Sequence, residues 1–145
     1  MNIAAPTARV LLGLIFLAAG LSGFLLISNP PPAPPGLAGA FQDVFFRSRW
    51  VLFVDGVELI SGVLLLANRY VPLALAMLAA VIANILVFHL TMAQSSLPVP
   101  LVVASLWSIV AWRYRASFAP LFVQRPEPSR ISGPTANRVQ PAVAA

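Results

Sequence analysis

The chain has 145 residues, of which 59% are hydrophobic and only 9% charged, with a mean hydropathy of +0.88. Soluble domains carry about a quarter of their residues as charges, and disordered chains combine low hydrophobicity with high charge, so both classes are excluded. The formal charge of +5 comes from nine arginines set against four acids; there is no lysine and no cysteine, which removes disulfides, thiolate metal sites and thiol redox chemistry.

A membrane-crossing helix needs about 20 mostly apolar residues for a core of about 30 Å. Residues 10–27 form the first candidate and hold no charge in 18 positions. That apolar core exceeds the roughly 7–15 residues of a cleaved leader. The small-residue step Ala38-Gly39-Ala40 lies well beyond it, behind a proline run, so the segment reads as a retained span.

The connection over 28–50 is long. It opens with five prolines in the six residues 30–35, an extended run that cannot continue a helix. Leu37, Phe41, Val44 and Phe45 then recur at helical spacing, with Gln42, Asp43 and Arg47 away from them. This predicts a short amphipathic helix at the membrane interface. It reads either as a lid packed on the helices or as a partner-docking surface.

Residues 51–67 form the second span, apolar except for Asp55 and Glu58. Asn68-Arg69-Tyr70 is a tight turn into the third span, 71–92, where Pro72 sits in the first turn at little cost. Its strongly polar residues are Asn84 and His89. A short connection, 93–96, leads to the fourth span, 97–112. Beyond Phe122 the chain turns polar and proline-rich, and 124–145 reads as a disordered tail.

The predicted fold class is therefore an all-α membrane protein: a four-helix transmembrane bundle over 1–123, with a proline-rich external loop and a short interfacial helix. With four spans, Arg9, Arg69, Arg113, Arg115, Arg125 and Arg130 share one side, against Arg47 and Arg49 on the other. The excess places both termini in the cytoplasm. Trp50, Tyr70, Trp112 and Tyr114 mark the span ends as an aromatic belt. The bilayer is then the main partner, a homo-oligomer stays open, and no water-facing basic surface supports nucleic-acid binding.

Ionisable residues inside a span are costly and count as functional candidates. Asp55 and Glu58 are three apart and share one helix face, continued by Ser61 and Gly62. Counted from the outer helix ends at the helical rise, Glu58 and Asn84 each lie about 12 Å deep. Asp55 and His89 lie about 7 and 5 Å deep, and Trp107 about 14 Å from Pro98. Asp55, Glu58, Asn84, His89 and Trp107 are thus expected to form a polar cluster in the outer half, for ligand binding or proton handling. The other reading of the cluster is structural: polar side chains that hydrogen-bond across helices and fix their register. Gly13, Gly20 and Gly23 of the first span, and Ala76, Ala80 and Asn84 of the third, read as close-packing stripes. The single histidine and the missing thiols leave no intrinsic metal or redox cofactor, and no phosphate loop or nucleophile motif is present.

The run RVLLGLIFLAAGLSGF at 9–24 and the run VELISGVLLLANRYVPLALAMLAAVIANILVFHLTM at 57–92 resemble the DoxX family of small bacterial membrane proteins. Glu58, Arg69, Pro72, Asn84, Phe88 and His89 occupy the positions that carry the likeness, and the segment 112–118 fits as well. The resemblance implies a four-helix fold in the bacterial plasma membrane. It also implies a role as an accessory subunit of a quinone-linked oxidoreductase, with a redox-enzyme partner and a bound quinone. Two positions depart from the pattern: Gly23 stands where many relatives have lysine, and Asp55 where many have a basic or amide residue. Glu58 would then lack a basic partner. The alternative reading is a structural or stress-protective membrane protein. A transporter is disfavoured because four helices are few, no inverted repeat is present and the inner half of the bundle has no matching polar path.

Overall fold

The structure, a computed structural model, describes residues 3–122 and Gln124. The disordered tail expected over 124–145, with Arg125 and Arg130, lies outside the described residues except for Gln124. The described residues are helical or irregular, with no strand. Six α-helices follow in order: α1 (Ala4–Leu26), α2 (Leu37–Arg47), α3 (Trp50–Leu66), α4 (Val71–Thr91), α5 (Pro98–Arg113) and α6 (Arg115–Phe118). Two of them, α1 and α4, are long and apolar enough to cross a membrane. The other two apolar helices are shorter, at 17 residues for α3 and 16 for α5.

The four long helices pack in cyclic order, α1 on α3, α3 on α4, α4 on α5 and α5 back on α1. Successive helices in this ring run antiparallel, so the assembly has a lid end, near α2, and a hairpin end, at the α3–α4 turn. The turn works because Asn68 and Tyr70 both adopt left-handed backbone, with φ of 54° and 53°. Asparagine tolerates that conformation better than most residues.

The apolar core fills the hairpin-end half. Ala8, Leu12 and Phe16 recur every fourth residue along α1, and they meet Leu65, Leu75, Leu78 and Val110 from the other three helices. Two cross-helix hydrogen bonds tie this half together. Arg9 Nη1 donates to the carbonyl of Leu65, placing a cation at the C-terminal end of α3. Trp107 Nε1 donates to the carbonyl of Leu75 at 2.9 Å.

The lid end is built differently. Gly36, with φ of 80°, turns the proline run back into α2. Gly39 then lies so close to the Pro34 carbonyl that a side chain there would collide with it. Gln42 Nε2 donates to the Pro31 carbonyl at 2.9 Å, so strap and helix form one unit. Phe41 docks that unit on α4, its ring centroid 5.2 Å from that of Phe88. The expected apolar face is only partly covered, since Leu37 and Val44 stay exposed.

Candidate functional site

The seam between α1 and α3 is a close helix packing, and glycines set it. At Gly20, an added Cβ would stand 2.5 Å from the Asp55 carbonyl oxygen and 2.6 Å from the Leu59 nitrogen. At Gly62, it would stand 2.7 Å from the backbone nitrogen of Leu17. These approaches are backbone on backbone, so no side-chain rotation relieves them. The glycine stripe expected on α1 is therefore present and faces α3.

Into this seam α3 projects Asp55, whose carboxylate lies against Gly23. Asp55, Glu58 and Ser61 follow at intervals of three and are all buried, with 8%, 6% and 0% exposure. Asp55 Oδ2 and Ser61 Oγ are fully enclosed and have no hydrogen-bond partner. None of the three side chains makes a hydrogen bond or ion pair among the described residues, where the single salt bridge is Arg47–Asp43 on the lid. Buried polar atoms are nearly always paired, and each exception calls for an explanation.

The other sequence candidates do not join these acids. Paired through the tight α3–α4 turn, Glu58 comes level with Ala79 and Asp55 with Ile82. His89 then lies about 10 Å beyond Asp55, and Asn84 about 7 Å beyond Glu58. At these levels α4 buries Leu78 and Ile82, both apolar. Depths counted from the outer helix ends placed the residues side by side because they assumed equal lengths, yet α4 has 21 residues and α3 has 17.

Asn84 is exposed, as are Ala76 and Ala80, so α4 turns the expected packing stripe away from the other helices. His89 is partly buried, and its Nδ1 donates to the Ile85 carbonyl at 2.8 Å. Its ring meets Phe88 edge-on at 5.2 Å, which makes it part of the lid's aromatic seat. Trp107, bonded to Leu75, sits in the hairpin-end half and is not a wall for the acids. The site contracts to Asp55 and Glu58, with Ser61 below them and Gly20 and Gly23 across the seam. Gly23, expected from the sequence as part of the close-packing stripe, is also the residue that faces the Asp55 carboxylate, a pairing not expected from the sequence. Its signal in the sequence was the place of Gly23 one helical turn above Gly20, on the same face of α1.

Among the described residues no group of three metal-binding side chains occurs, and the chain has no cysteine. No family model, curated protein or solved structure matches the chain.

Proposed function

We propose that this chain is a four-span protein of the bacterial plasma membrane, with both termini in the cytoplasm. In this reading it serves as an accessory subunit of a quinone-linked oxidoreductase, and Asp55 and Glu58 hold and pass protons. Two helices of spanning length support the membrane setting. The arginine distribution supports the orientation. The quinone link rests on the resemblance to the DoxX family, and the electrons would come from a partner enzyme.

The observation that carries the proton role is the burial of two neighbouring acids that make no hydrogen bond or ion pair among the described residues. Reduction of a quinone takes up two protons with two electrons, and this pair offers two carboxyl groups. The seam is too tight at Gly23 to admit a ring. What the acids can hold is a proton; a headgroup clasped between them finds no support. The structural reading is weakened by the same geometry. The cross-helix hydrogen bonds are made by Arg9 and Trp107, and neither uses an acid.

The test separates stability from proton handling. Asp55→Asn, Glu58→Gln and the double variant are compared with the parent for unfolding midpoint in detergent and for quinone-coupled proton uptake in native membranes. We expect unchanged midpoints with lost uptake. Lower midpoints with normal uptake would return the pair to a packing role.

A further inference from the structure

A second site stands at the hairpin end, away from the acids. A cleft of about 570 Å³ opens between the first turn of α1 and the last turn of α5, within the range of about 300–1,000 Å³ common for ligand pockets. Its walls are Ala4 and Ala5 on one side, Ile109 and Trp112 on the other, and its rim carries Arg113 and Arg115. Among the described residues no acidic side chain lines it.

We propose that this cleft binds the phosphate of an anionic phospholipid, held by Arg113 and Arg115. The inference rests on the membrane setting proposed above, not on the proton role. Neither guanidinium has a carboxylate partner among the described residues, where the single ion pair lies on the lid. Arg115 is already in position. Its guanidinium lies 5.3 Å from the centroid of the Trp112 ring, and Nη1 donates to the Trp112 carbonyl at 3.0 Å. That bond uses one of five N–H donors and leaves the others for phosphate oxygens. The α1 start adds to the same field: Ala4 and Ala5 lie in its first turn, whose N–H groups have no partner within the helix. The cationic rim suits a phosphate, while Ile109 and Trp112 supply the apolar wall that an acyl glycerol needs and a free ion does not. Trp112 is also the residue type that sits at headgroup level, and basic pockets between helices on the cytoplasmic side are where anionic headgroups bind.

The experiment uses the full chain purified in detergent, with lipid adducts counted by native mass spectrometry. Phosphatidylglycerol and phosphatidylcholine of equal chain length compete, and inorganic phosphate is added in a separate arm. The expected result is a roughly tenfold preference for phosphatidylglycerol. That preference should vanish in the Arg113→Gln, Arg115→Gln double variant and survive in the Arg113→Lys, Arg115→Lys double variant. Arg69→Gln, at the same end but outside the cleft, should leave it intact. Equal retention of the two lipids by the parent would overturn the proposal. So would an equal loss in Arg69→Gln, which would assign the preference to surface charge at large, or displacement of the lipid by inorganic phosphate. If the chain is recovered in the aqueous fraction without detergent, the membrane setting itself fails, and that outcome is read before any lipid is added.

Discussion

Gly23 of α1 stands directly against the carboxylate of Asp55, and a methyl group at position 23 would take the place of Oδ2. The buried acid therefore exists only because the facing helix offers no side chain. This pairing makes a double-mutant cycle informative. Gly23→Ala should destabilise the protein, and Asp55→Ala in the same chain should restore part of the loss. Their coupling should fall within about 0.5–3 kcal/mol, measured by unfolding in detergent. Strict additivity would mean that the two residues do not touch.

The seam makes a graded prediction for the other glycines. Gly20→Ala forces backbone apart and should cost about 1–3 kcal/mol. Gly56 lies on the same pair of helices with nothing within 4 Å of an added Cβ. There, Gly56→Ala should gain about 0.5–1 kcal/mol from helix propensity alone. The same unfolding assay reads both, and the opposite signs are the test.

Glu58 should be a liability for stability. Replacing it by leucine removes an acid from a buried position where it makes no hydrogen bond among the described residues, at similar volume, so Glu58→Leu should stabilise by about 1–3 kcal/mol. Quinone-coupled proton uptake should be lost in the same variant. A destabilised Glu58→Leu protein would reveal a partner for the acid.

The hairpin-end hydrogen bonds should behave as the true packing ties. Trp107→Phe should cost about 0.5–1.5 kcal/mol, and Arg9→Gln, which removes a charged donor, about 1.5–3 kcal/mol. Neither variant should alter proton uptake. A loss of uptake with intact stability in Trp107→Phe would bring that residue back into the site.

The lid is held to α4 by the Phe41–Phe88 ring contact. Phe41→Ala should raise amide exchange across α2 by several-fold, since such pairs are worth about 0.5–1.5 kcal/mol. Exchange in α1 and α3 should stay at the parent level. His89→Ala should leave proton uptake unchanged, because its Nδ1 is committed to Ile85 within its own helix.

The extents of the helices were legible in the sequence, and their rotations were not. The predicted segments 51–67, 71–92 and 97–112 differ from α3, α4 and α5 by at most one residue at each end, while α1 starts six residues ahead of the predicted 10–27. Length and apolar composition suffice for that. Rotation about the axis needs a polar face, and α4 is apolar almost all the way round. Nothing in the local pattern could say that Ala76, Ala80 and Asn84 face outward. Depth failed for a separate reason, since the levels on α3 and α4 are fixed at their shared turn. On α1 and α3, where glycine and acid had to meet, the pattern was specific enough to place Glu58 and the glycine stripe in the interior.

On the proposed four-span reading, the unequal helices have a consequence for the surrounding lipid. At 1.5 Å per residue, α1 and α4 reach about 34 and 32 Å, while α3 and α5 reach only about 25 and 24 Å. The two long helices occupy one diagonal of the ring and the two short ones the other. With all four helices in a hydrocarbon core of about 30 Å, as proposed, the bilayer would pinch inward on two opposite flanks and stand at full height on the remaining two. Each ångström of thinning costs a fraction of a kcal/mol. The molecule would thus collect in thin regions of membrane, and a neighbour with similarly short helices would relieve the deformation by sharing a pinched flank.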